Sequence, residues 1–272
     1  MLQLRSAAFA DGLRYYASPL LERVGVPHAF STRTGGVSPP PFDSLNLGIA
    51  GDATIRDSSD NLEENYRRLR AAVGCAKHGR CWVTQVHGAA VCDIHPGSTF
   101  ENGARADALV SDDPTRVLSV KYADCVPVLL ASADGRAVAA VHAGWRGLVA
   151  GVIRTAINRL EQFSDAPAST FLAAIGPCIG LDAFEVGPEV LAAFEDRMGP
   201  AAPIRASDNG KGHVDLRQAA LIELQSAGLS LDRIDTTDRC TFAHPQEFFS
   251  HRRDGNATGR MAAIISPAGP PR

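Results

Sequence analysis

Apolar positions along the chain follow two different periods, and each change of period marks an element. Leu62, Tyr66 and Leu69 recur at helical spacing with arginines and glutamates opposite, which predicts a helix over 60–73 closed by Gly74. Val152, Ile153, Ala156, Ile157 and Leu160 form one apolar stripe, predicting a helix over 148–163. Two more helices are predicted over 188–197, with proline at its tolerated first position, and over 216–227, stopping at Gly228. Alternation or short apolar runs predict strands at 81–87, 107–110, 117–122, 126–131, 137–141, 170–175 and 261–265. Pro127 forces an edge, bulge or break near the start of its run. A short strand ends near Thr32, and Gly35-Gly36 with three prolines forbids regular structure after it. Strands mixed with helices, without a clean βαβ alternation, predict stacked mixed sheets with helices outside.

The chain has 272 residues, enough for a large core. Hydrophobic residues make up 45% and charged residues 21%, ordinary values for a globular protein. The net charge of -3 argues against a broad nucleic-acid surface but allows a local phosphate pocket. No apolar run is long enough to span a membrane, and the N-terminus lacks a signal-peptide pattern, so the expected location is the cytoplasm. Six cysteines without dense spacing or a CxxC pair read as reduced thiols rather than disulfides or a zinc finger.

Candidate chemistry collects where apolar runs end. Val138-Ala-Ala-Val-His142-Ala-Gly-Trp-Arg-Gly147 closes one run with a histidine, Thr84-Gln-Val-His87-Gly88 closes another, and Ala123-Asp-Cys125-Val-Pro127 interrupts a third. Two histidines and a cysteine suit a three-ligand metal site with one open position. Their separations are not local ligand spacings, so a second reading stays open: Cys125 packs as a small hydrophobe and the histidines cap strand ends. If the strand stays regular to Cys125, Asp124 points away from it. Arg33, Arg146, Arg252 and Arg253 could grip an anion, or the Arg-Arg pair could be a solvated turn. Trp145 could stack on a planar base or anchor the core. Walker, GxGxxG and Gly-X-Ser-X-Gly sequences are absent.

These motifs, with Ser31-Thr-Arg-Thr-Gly-Gly-Val37, Ser44-Leu-Asn-Leu-Gly48, Ile175-Gly-Pro-Cys-Ile-Gly180 and Phe249-Ser-His-Arg-Arg-Asp254 followed by Gly259-Arg260, resemble the bacterial laccase-domain family. That family is also called polyphenol-oxidase-like or peptidoglycan editing factor. The resemblance implies an α/β (α+β) fold over residues 1–272, its core at about 27–265: a single-domain αββα layered sandwich with mixed sheets, like the catalytic domain of cytotoxic necrotizing factor toxins. It implies a zinc or copper ion (Zn2+ or Cu2+) held by His87, Cys125 and His142. It implies phosphorolysis of purine nucleosides (adenosine, inosine, S-methyl-5'-thioadenosine) with adenosine deamination beside it, in a monomer or homodimer. Arg33, Asn46, Gln85, Trp145, Arg146, His251, Arg252 and Arg253 are then the candidates for holding nucleoside and phosphate. The H-x-E of nucleobase deaminases is absent, so another proton carrier is needed, with Asp124 and His251 as candidates. Two other enzyme readings and a binding-module reading compete. Cys125 could be the nucleophile of an amidase acting on peptidoglycan precursors. Copper-dependent phenol oxidation would need His-x-His pairs, and none occurs among the eight histidines. A non-enzymatic sensor would be favoured by loss of the trio, which is present.

Overall fold

The computed structural model of the chain describes residues 3–9, 12–48, 55–207 and 210–269. Its strands are β1 (Arg5–Ala8), β2 (Arg14–Ala17), β3 (His28–Ser31), β4 (Gly79–Trp82), β5 (Val91–Ile94), β6 (Ala108–Ser111), β7 (Arg116–Tyr122), β8 (Val126–Ala131), β9 (Val138–Ala143), β10 (Leu172–Ile175), β11 (Glu185–Val186), β12 (Ile204–Ala206), β13 (Gly212–Val214), β14 (Ile234–Asp235) and β15 (Met261–Ile265). The helices are α1 (Pro19–Arg23), α2 (Ser59–Ala72), α3 (Trp145–Val149), α4 (Val152–Ser164), α5 (Pro188–Met198), α6 (Leu216–Ser226) and α7 (His251–Asp254). One mixed sheet runs β1-β2-β3-β15-β7-β4, a second runs β14-β10-β8-β9-β6-β5, and a small third runs β11-β13-β12.

Side-chain alternation stacks these sheets into layers. On β7, Leu118, Val120 and Tyr122 join the core shared with Leu129, Ala131, Val138 and Ala140 of the second sheet. Val117, on the other face of β7, joins Tyr66 and Leu69 of α2. The outward residues of β8 and β9, among them Val128, Leu130, Ala139 and Val141, pack under α4 and α6. The order is helix, sheet, sheet, helix, as the strand and helix patterns predicted. Because β8 and β9 are covered on both faces, they read as continuous apolar runs. Each fully buried Val, Leu or Ile side chain in these layers contributes about 1.5–3 kcal/mol.

Two elements differ from expectation. The helix expected over 148–163 is two helices, α3 starting at Trp145 and α4 at Val152. Gly151 between them has φ 80°, a left-handed conformation that turns the chain and that glycine adopts without steric cost. The strand expected over 81–87 stops at Trp82, because beyond it the Gln85 side chain, not the backbone, bonds to β7.

Strand directions bring the sequence motifs to one end of the sandwich. The ends of β4 and β7 lie together because these strands are parallel, with Trp82 opposite Ser119. Val126 at the start of β8 lies opposite Ala143 at the end of β9, and Ala108 at the start of β6 opposite Val141. The chain also crosses from the first sheet to the second at this end, between Tyr122 and Val126 and between Trp82 and Val91.

Candidate metal centre

Both sheet crossings carry a candidate ligand. Cys125 sits on the bend between β7 and β8, and His87 on the segment between β4 and β5. His142 is the next-to-last residue of β9. Their donor atoms all lie within 4.8 Å of one another, the one such group among the described residues. The His87 and His142 rings meet edge to face with centroids 5.0 Å apart. An ion bound at about 2.0–2.3 Å to nitrogen and sulfur needs donors spaced at this scale, so the trio fits a metal. His142 is buried, Cys125 half-buried and His87 exposed, so the centre is supported from within and open on one side.

Backbone geometry and electrostatics prepare these ligands. His87 has φ 59° and Asp124 has φ 90°, both left-handed. Such conformations in non-glycine residues persist only when surrounding contacts hold them. Gly144 follows His142 closely, and a Cβ there would lie 2.8 Å from His87 Cδ2 and 3.2 Å from Cys125 Sγ. The histidine loop therefore closes on the cysteine only over a residue without a side chain. Burial pushes the Cys125 thiol up, but His142 and His87 beside it outweigh burial and bring it down. Burial pushes the His142 imidazole down, but Cys125 and Asp107 outweigh it and raise it. The pair therefore favours thiolate beside a protonated ring, the state of the sulfur that binds metals.

Asp107 is the residue that the sequence pattern missed. It precedes β6, is fully buried, and read only as the start of an apolar strand. Its Oδ1 accepts from His142 Nδ1 and from the His87 N–H, both at 2.9 Å. Its Oδ2 accepts from the Gly88 N–H at 2.7 Å and the Val86 N–H at 3.2 Å. Burial pushes its carboxyl up, yet His142 and the backbone donors hold it below the ordinary carboxylate range. A charged residue opening an otherwise fully buried strand is the signal that could have found it.

The other candidates divide into framework and rim. Asp124 accepts from Thr241 Oγ1 and from the Arg252 N–H, each at 2.6 Å, and its carbonyl accepts from the Ile179 N–H at 2.9 Å. It thus gathers three loops around Cys125. Gln85 donates to the Lys121 carbonyl at 2.7 Å and accepts from the Lys121 N–H at 2.8 Å. Buried Asn46 accepts from the Gly48 and Arg260 N–H groups and donates to Asp57. Arg33 donates to the Asp43 and Pro245 carbonyls and lies over Phe249. Arg253 donates to the carbonyls of Thr241, Phe242 and Phe248 and pairs with Asp254. Arg252 donates to the Glu185 carbonyl. Trp145 is half-buried against the core, with the exposed Arg146 guanidinium 4.2 Å from its ring centroid. His251, exposed, opens α7.

The chain as a whole is similar to proteins already known. The family described as multi-copper polyphenol oxidoreductase laccase matches residues 27–268. The purine nucleoside phosphorylase YfiH of Escherichia coli (strain K12) is 45% identical over 243 residues, covering 89% of this chain and 93% of that protein. A purine nucleoside phosphorylase of Pseudomonas aeruginosa is 38% identical over 237 residues, covering 86% and 90%. The crystal structure of YlmD from Geobacillus stearothermophilus superposes with a TM-score of 0.85 at 29% identity, covering 97% and 99% of the two chains.

Proposed function

The chain belongs to the multi-copper polyphenol oxidoreductase laccase family, and on that premise we propose that it is a metal-dependent purine nucleoside phosphorylase. Adenosine, inosine and S-methyl-5'-thioadenosine are the proposed substrates, with adenosine deamination as a second reaction. The relatives named purine nucleoside phosphorylase support the reaction class. The observation that carries the metal dependence is the convergence of His87, Cys125 and His142 at one open end of the sandwich. One such trio among the described residues favours one-ion chemistry over the several copper sites that phenol oxidation requires.

His87, Cys125 and His142 would hold a zinc or copper ion, which supplies Lewis-acid stabilisation of developing charge when bound. The remaining tasks fall to the chain's own groups. Thiolate at Cys125 is favoured by the two histidines. Phosphate requires cations with donors to spare. The Arg33 and Arg253 guanidinium groups bond to loop carbonyls, whereas the side chains of Arg146 and Lys121 make no hydrogen bond or ion pair among the described residues. Arg146 follows His142 by four residues, and we assign it first contact with phosphate. For deamination, both Asp124 oxygens already accept hydrogen bonds. His251, next to the Arg252 N–H that binds Asp124, is therefore the better proton carrier.

A second reading has its own observation. Cys125, His142 and Asp107 form a thiol–imidazole–carboxylate relay, the arrangement of a cysteine amidase. A metal-ligated thiolate is not free to attack, so the two readings separate on metal dependence. The test is a product assay: metal-loaded protein with adenosine, with and without phosphate, resolving adenine, ribose 1-phosphate and inosine. Phosphate-dependent adenine and ribose 1-phosphate, lost on chelation, are expected. No nucleoside turnover by metal-loaded protein would overturn the reading in favour of the amidase.

A further inference from the structure

One buried carboxylate touches the segments that carry two of the three ligands. The Asp107 side chain has no solvent exposure, and its two oxygens accept four hydrogen bonds. Three come from consecutive backbone N–H groups, of Val86, His87 and Gly88, and the fourth from the His142 ring. A carboxylate has about four lone-pair sites, so these donors use its accepting capacity and leave none for an ion. Asp107 thus stands beside the centre without being a ligand, in keeping with its absence from the trio.

We propose that Asp107 is the positioning residue of this centre, fixing both the tautomer of His142 and the left-handed backbone that presents His87. The inference rests on the metal-binding reading above. The His142 part follows from proton placement. Asp107 accepts at Nδ1, which keeps a proton on that nitrogen, so Nε2 is the one that would give up its proton and turn a lone pair to an ion. The His87 part follows from the turn. Residue 87 holds φ 59°, and three successive N–H groups converge on one carboxylate only while the backbone bends this way. Cys125 is on a separate crossing and has no bond to Asp107, so Asp107 governs the two histidines and leaves the sulfur to other contacts. Its backbone is tied in as well: the His142 N–H donates to the Asp107 carbonyl at 2.8 Å, so the carboxylate is registered to β9 itself.

Asp107→Asn tests this with nearly unchanged shape. An amide keeps one acceptor oxygen and replaces the other by a donor. With its oxygen toward Gly88, it donates to His142 Nδ1 and moves the ring proton to Nε2. With its oxygen toward His142, its NH2 faces the Val86 and Gly88 donors. The first orientation also sets the NH2 against the His87 N–H, so either one damages at least one histidine. The readouts are zinc affinity by competition with a chromophoric chelator, the visible spectrum of the cobalt-substituted protein, and near-ultraviolet circular dichroism for the fold. We expect Asp107→Asn to bind zinc about 10–100-fold more weakly with a changed cobalt spectrum, and Asp107→Glu to recover part of both. A folded Asp107→Asn with wild-type zinc affinity and cobalt spectrum overturns the inference. A purely structural role would lower thermal stability and leave the cobalt spectrum intact, which also overturns it. Should Asp107→Asn fail to fold, nitrogen-15 NMR of the zinc-loaded wild type decides: a proton on His142 Nδ1 supports the inference, and a proton on Nε2 overturns it. A wild-type chain that binds zinc while the variant binds equally refutes the role of Asp107 alone, whereas a wild type that binds no metal refutes the metal reading and this inference with it.

Discussion

Gly144→Ala puts the geometry of the centre to a quantitative test. The residue precedes α3 with φ -71° and ψ 167°, which any amino acid adopts, so alanine adds no backbone strain. The cost is steric. The new methyl would sit 2.8 Å from His87 Cδ2 and 3.2 Å from Cys125 Sγ. Carbon atoms prefer about 3.5–4.0 Å, so the His87 ring must withdraw by about 0.7 Å or more. That is about a third of a metal–nitrogen bond of about 2.0 Å. Overpacking of this kind costs about 1–3 kcal/mol, and at 1.4 kcal/mol per decade the metal affinity should fall about 5–140-fold. His87 is exposed and can swing toward solvent when no ion holds it, so the metal-free protein should melt within about 3 °C of the wild type. Chelator competition for zinc and a thermal melt of the metal-free protein measure the two quantities. A folded variant with unchanged zinc affinity would refute the close approach of these three segments; a large drop in metal-free Tm would show that the clash is not relieved through His87.

Three further predictions follow from the surroundings. Arg146→Ala should raise the phosphate KM about 10–150-fold, the worth of one charge-assisted contact, and leave the nucleoside KM within about twofold; equal rises in steady-state kinetics would remove Arg146 from the phosphate site. Arg253→Ala, which loses its bonds to three loop carbonyls, should lower stability by about 2 kcal/mol and disturb both KM values alike; a selective phosphate defect without a stability change would contradict its role as a loop clamp. The third concerns acid. Burial lowers the His28 pKa from 6.5 to about 4, outweighing the Val26 carbonyl and Asp235. Between these values the unfolded chain binds a proton that the folded one does not, so stability falls as pH drops from about 6.5 to about 4, by about 3 kcal/mol in all. Urea titrations across this range should show that slope, and His28→Gln should flatten it; an unchanged slope would assign the acid sensitivity elsewhere.

What was legible in the chain depended on whether a residue's role is written in periodicity or in distant partners. The runs at 126–131 and 261–265 match β8 and β15 end for end, because strands covered on both faces are apolar throughout. The two- and three-residue strands β11, β12, β13 and β14 leave no pattern of that kind, and their pairing is visible only in three dimensions. His87, Cys125 and His142 stood out because each interrupts or ends an apolar run where a polar residue needs a reason. Asp107 does the same, but one carboxylate at a strand end has ordinary explanations, and the four donors that distinguish it come from residues 86–88 and 142. Gln85 and Asn46 entered as candidate substrate groups through the family resemblance, and Arg253 also through its anion-binding guanidinium. The structure spends those groups largely on backbone amides and carbonyls of neighbouring loops, a destination that spacing does not reveal.

An ion held by His87, Cys125 and His142 is proposed to drive phosphorolysis. Metal-stripped protein should be titrated with zinc or copper while adenosine phosphorolysis and metal content are followed together, alongside Cys125→Ser. Turnover should rise in proportion to occupancy, saturate at one ion per chain, and be lost in Cys125→Ser. Full turnover by the metal-stripped wild type, abolished by alkylating the Cys125 thiol, would refute the metal role and make that cysteine a nucleophile instead of a ligand.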